Sequence, residues 1–230
     1  MRLPSSGASY RQRIHFGHYV ARRLRRAKFA DLSNAIVKTT ADLREMGRAW
    51  EDMTDGLQDA LADRDAADDM LDQAAQIARA TIAGRSPNAM REATYLAIFP
   101  QGIGYFTAAT IDNETERYSE LKQRLAEHLP ADDEVRQSTI PAIEAGLVEY
   151  EAAKKAVSDA RNAESLARTR LHQATDLWAR QVEKTYGALV TELGKSRAGS
   201  FFPRARSRSK AGADDASRPS REATEEHDVG

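Results

Sequence analysis

"LSNAIVKTTADLREMGRAWEDMTDGLQDALADRDAADDMLDQAAQIARATI", residues 32–82, decides the fold. Apolar positions recur at alternating spacings of four and three. One series runs Ile36, Leu43, Trp50, Leu57, Arg64, Leu71 and Ala78, and the other Leu32, Thr39, Met46, Met53, Ala60, Ala67, Ala74 and Thr81. A seam of that period predicts one long helix with a coiled-coil face. No proline falls between Pro4 and Pro87, and only Gly47 and Gly56 weaken the helix locally. The helix is expected from about residue 31 to about residue 84, roughly 80 Å at 1.5 Å per residue. "GRSP", residues 84–87, stops it.

A second helix of matched length follows in the C-terminal half. Ser138 or Thr139 is the expected cap, with Pro141 in the first turn. Ile143, Leu147, Tyr150, Val157, Leu171, Trp178, Val182 and Leu189 mark its buried face as far as about Leu193. Ala160, Ala163 and Ala167 carry the seam midway and allow close approach of a partner helix. The expected fold is therefore all-α, an elongated antiparallel hairpin or bundle of two long helices, each about 50 residues, plus shorter connector helices. The proposed register sets Trp50 against Trp178 as core, Leu57 against Leu171, Leu71 against Val157 and Arg64 against Glu164. "SPNAMREATYLAIF" reads as a short helix ended by Pro100, and "DNETERYSELKQRLAEHL" as a clearer one capped by Asp112. Three parts result: a basic segment 1–30, a helical bundle or coiled-coil domain 31–195, and a tail 196–230 whose composition reads as disordered.

Residues 93–111, "ATYLAIFPQGIGYFTAATI", form an uncharged run in a highly charged chain. Pro100, Gln101, Gly102 and Gly104 interrupt it, which argues against a membrane span. Tyr95, Phe99, Tyr105 and Phe106 are expected to close a small core over the helix ends. A membrane-active or partner-touching apolar tip is the sharper alternative.

The chemistry the sequence lacks narrows the function. There is no cysteine, hence no disulfide or thiolate metal site. His15 and His18 have helical spacing, but arginines surround them and no acid precedes Asp31. Asp65, Asp68, Asp69 and Asp72 fall on one helical stripe, which reads as a solvated or salt-bridged face. No glycine-rich phosphate loop, nucleophile elbow or Glu-x-x-His pattern occurs. The expectation is a protein with no enzymatic activity, cofactor, metal or evident small-molecule substrate.

Charge layout is the most specific signal. Residues 1–30 carry eight basic and no acidic side chains, whereas residues 31–72 carry twelve acidic and four basic ones. Phe16, Val20, Leu24 and Ala27 can line one face of a helix whose other faces hold Arg22, Arg23, Arg25 and Arg26. A second basic patch, including Arg204, Arg206 and Arg208, brackets Phe201 and Phe202. Those arginines and phenylalanines are the expected partner-binding residues. The favoured function is a structural or scaffold protein that forms a homo-oligomer through long helices and oppositely charged segments. Nucleic acid bound through its phosphates is the alternative partner, and an anionic membrane a weaker one. With no secretory signal visible, a cytoplasmic location is expected, although an arginine-rich, acid-free start also describes an organellar transit peptide.

Overall fold

A computed structural model describes residues 3–5 and 7–203. Its described residues form helices and turns with no strand. Two helices dominate: α2, Ala30–Ala83, and α6, Glu134–Leu193, which run antiparallel along one another. At 1.5 Å per residue they are roughly 80 and 90 Å long. The hairpin expectation holds for the fold class.

The register differs from the expected one. Trp178 packs at the level of Thr40, Trp50 reaches Glu164, and Leu71 lies against Gly146. Relative to the expected pairs α6 is displaced by about 11 residues, three helical turns, which again brings apolar positions together. α1, Tyr10–Arg26, folds back along α2, and its buried stripe of Ile14, Gly17, Val20, Ala21 and Leu24 faces the long pair. A β-carbon on Gly17 would overlap the Thr40 side chain and lie 3.1 Å from Trp178 Nε1; one on Gly47 would overlap the Tyr10 ring. These two glycines let α1 seat directly on the pair. Phe16, Phe202, Tyr186 and Trp178 complete this core with edge-on and tilted ring contacts.

α1 ends in a Schellman motif. Phe29 N–H donates to Leu24 O at 3.0 Å, Lys28 N–H to Arg25 O at 3.1 Å, and Lys28 has φ 66°. α2 then starts at once, with Ser33 Oγ donating to Ala21 O across the corner at 2.9 Å.

At the far end the connector builds a second core. A 3₁₀ turn at Ala89–Arg91 leads to α3, Ala93–Ile98, α4, Gly104–Thr107, and α5, Glu114–His128. Tyr95, Phe99, Phe106 and Tyr118 stack in sequence over Leu71, Ala75, Ala78 and Ile143. α5 starts one residue later than expected, with Asn113 at the N-cap position and no side-chain cap from Asp112. α6 starts at Glu134, capped by Asp133 Oδ1 accepting from Val135 N–H at 2.9 Å, so Ser138 and Thr139 are interior. The helix continues through Pro141; Gln137, whose carbonyl loses that partner, is exposed to water along with the proline ring.

Between the two cores, α2 and α6 run with no third helix. This neck spans about residues 48–66 of α2 and 152–170 of α6, and the first turn of α1 reaches its edge, where Arg11 pairs with Glu51.

Candidate functional site

The expected site residues fall into four places. Trp178 is fully buried in the first core, but Trp50 is half-buried in the neck. Tyr95, Phe99 and Phe106 are buried and Tyr105 half-buried, so the aromatics of the uncharged run pack inward over the helix ends. Tyr105 is held by Glu120, which accepts its hydroxyl proton at 2.8 Å, and by the Arg117 guanidinium 4.6 Å over its ring. Among the described residues, no helix is long and apolar enough to cross a membrane.

Phe201 and Phe202 are not available to a partner. After α6, Gly194 turns with φ 79° into α7, Lys195–Gly199, and both rings insert beside Phe29 and Phe16. The expectation of a free tail from residue 196 is thereby corrected for residues 196–203. Arg204, Arg206 and Arg208 lie outside the described residues.

Arg22, Arg23, Arg25 and Arg26 are exposed on the outer face of α1. Arg23 donates to Ser200 O at 3.1 Å, which ties the returning chain to α1. His18 accepts from Arg44 at 2.6 Å, and burial, Arg44 and His15 hold its ring below the usual histidine range. A neutral imidazole acting as acceptor fits that bond.

The charge layout leaves an imbalance along the rod. Arg11 of α1 reaches Glu51 in the acidic stretch of α2 at 2.7 Å. Asp52 lies about 33 Å along α2 from Ala30, the level of the arginine cluster, and the later aspartates lie farther still. That exceeds the Debye length of about 8 Å at physiological salt, so the arginine cluster and the aspartates from Asp52 onward do not neutralise one another within one chain.

The neck has its own sidedness. Met46, Ala49 and Met53 of α2 and Ala163, Leu166 and Ala167 of α6 line an apolar groove of about 210 Å³, with Arg170 at its edge. Met53 is 40% and Leu166 53% exposed. Residues 51–65 of α2 carry six acids, Glu51, Asp52, Asp55, Asp59, Asp63 and Asp65, and one base, Arg64. Residues 154–170 of α6 carry five bases, Lys154, Lys155, Arg161, Arg168 and Arg170, and two acids, Asp159 and Glu164. Over this stretch α2 is acid-rich and α6 base-rich, and at the groove itself the base is Arg170, since Lys154 and Arg161 lie on the opposite face of α6.

At the junction of neck and second core lies a feature that sequence reasoning missed. Glu114 is only 3% exposed, and its Oε1 finds no hydrogen-bond donor. Burial, reinforced by Asp68 and Asp72, pushes its carboxyl up to about 8. The protonated group can donate to Asp68, which removes the need for an outside donor. Tyr118 donates to Asp72 Oδ1 at 2.5 Å. Tyr150, which donates to Ile111 O at 3.4 Å, is itself pushed up to about 12, chiefly by burial. The aspartate stripe is thus solvated on one side only; its inner members meet α5. Glu114 was legible only as a first-turn acid, because nothing local says that α5 lays that turn on Asp68. Among the described residues, no group of three or more acids or histidines is arranged to hold a metal ion.

The chain matches no protein-family model, no curated protein and no solved structure.

Proposed function

We propose that the chain is a non-enzymatic scaffold that self-associates by pairing the necks of two copies. The carrying observation is the groove between Met53 and Leu166, an apolar strip of α2 and α6 in which both of these large side chains are exposed. A second copy running in the same direction, related by a two-fold axis along the rod, puts Met53 and Leu166 of both copies together. It also sets the acid-rich α2 of each copy beside Arg170 of the other α6. The thick cores at either end set the spacing of whatever is attached to them.

Light scattering coupled to size exclusion tests this on the full chain. The expected result is a dimer at low salt that weakens at high salt, and a monomer of unchanged helicity for Met53→Glu with Leu166→Glu. A parent chain that stays monomeric at micromolar concentration sinks the proposal.

A second reading keeps one specific support: Arg22, Arg25 and Arg26 are exposed in a row at the end of the rod, without an ion pair among the described residues. Such a row suits phosphates of a nucleic acid, with affinity that falls steeply as salt rises. Charge reversal of the three arginines in a gel shift separates this reading from neck pairing, which they do not touch.

A further inference from the structure

A cavity of about 310 Å³ opens where α2, α6 and the segment leading into α5 meet. Its wall carries Arg64 from α2, Lys154, Ser158, Arg161 and Asn162 from α6, and Asp112 from the connector, over a floor of Val157 and Ile111. The volume is at the lower end of what small-ligand pockets enclose.

We propose that this cavity binds a small, compact anion of the phosphate or phosphomonoester class. Three cationic side chains from two helices line it, Arg64 held by Asp65 and Lys154 and Arg161 without such a partner, with Asp112 the one carboxylate on the wall. Arg64 is well buried, with 15% of its side chain exposed; its Nε and Nη2 donate to Asp65, and no bond is shown for Nη1. Lys154 is half-buried, and neither it nor Arg161, Ser158 or Asn162 has a side-chain hydrogen bond or ion pair among the described residues. Positions 154, 158, 161 and 162 of a helix share one face, so an ammonium, a hydroxyl, a guanidinium and an amide all present donors to the same space. A tetrahedral oxyanion with several acceptor oxygens satisfies such a set, and guanidinium groups favour it through paired N–H donors.

The cavity is separate from the neck groove. At 100° per residue, Lys154 and Arg161 lie about 180° around α6 from Ala163 and Arg170. Anion binding therefore neither requires nor blocks the pairing proposed above. Asp112 works against an anion and makes the site discriminating: a ligand must gain enough from three cations to tolerate it.

Isothermal titration of the full-length chain with inorganic phosphate and with pyrophosphate, at ionic strength held constant with sodium chloride, tests the site. The expected result is saturable binding that weakens about tenfold or more in Lys154→Ala with Arg161→Ala, as loss of charge-assisted bonds predicts. Asp112→Asn is expected to tighten binding severalfold, an effect that a loss of folding does not imitate. A short oligonucleotide is expected to bind equally well to the parent and to Lys154→Ala with Arg161→Ala. Heats no larger than those of chloride, phosphate binding unchanged in the double variant, or Asp112→Asn without effect would each overturn the proposal. So would an oligonucleotide that needs Lys154 and Arg161 while phosphate does not bind.

Discussion

Trp50 donates its indole N–H to Glu164 Oε1 at 2.6 Å, across the neck from α2 to α6. Glu164 is 7% exposed and also accepts from Arg168 at 2.7 Å, so one carboxylate joins both helices where no third helix shields them. The Trp50 bond, followed by Arg168, holds its carboxyl below the usual range.

A depressed carboxyl contributes stability that is present above its unfolded value and lost as pH falls through the folded one. In a Trp178→Phe background Trp50 is the sole indole. Its emission is expected to shift on acidification with a midpoint below the ordinary glutamate range, and Arg168→Ala is expected to raise that midpoint. An ordinary midpoint would show that the bond does not persist in solution.

Glu114 predicts the opposite slope. Its folded value near 8 lies above the ordinary 4.5, so between those values the native state binds a proton that the unfolded chain has released. Stability then falls as pH rises through that window, by at most about 1.4 kcal/mol per pH unit. Glu114→Gln keeps the shape and removes the charge. Urea denaturation at pH 5 to 9 is expected to show a sloping parent curve and a flatter variant that is the more stable of the two at high pH. Parallel curves would count against a proton shared between Glu114 and Asp68.

Two glycines should respond in opposite directions. Gly17→Ala forces a methyl onto Thr40 and Trp178, and overpacking of this kind costs about 1–3 kcal/mol. Gly56 sits in exposed helix with nothing near its missing β-carbon, so Gly56→Ala gains roughly 0.5–1 kcal/mol from propensity alone. Thermal melts of the two variants check both signs; a neutral Gly17→Ala would mean that α1 stands off from the pair.

Phe202 ties the chain after α6 to α1 through Phe16 and Tyr186. Phe202→Ala is expected to cost about 3–5 kcal/mol, the range for a buried aromatic. Protease cleavage near residue 200 should accelerate with it. A change within about 0.5 kcal/mol, as for a surface site, would place Phe202 outside the core.

Fold class was legible because two seams more than forty residues long leave little else to form. Register was not: the seam repeats, so sliding α6 by about three helical turns exchanges one apolar neighbour for another. The observed pairing sets Gly17 of α1 and Gly47 of α2 where α1 seats and Gly146 of α6 against Leu71, and a glycine in a helix reads from sequence only as a weakness. The turn after α1 was hidden for a related reason. Its left-handed position holds Lys28, where glycine would have been the signal. The arginine cluster on α1 was found by charge alone, since solvated side chains need no tertiary context. The site at Glu114 and the cavity beside it depend on where a connector lands, which no local pattern encodes.

The two cores share α2 and α6 and nothing else, and this has a consequence for how the molecule melts. The cores are linked in one folding unit only through helix propagating along the neck. A proline placed at Gly56 would break that transmission. Hydrogen exchange would then report two independent opening free energies where the parent gives linked ones, turning a single folding unit into two tethered ones.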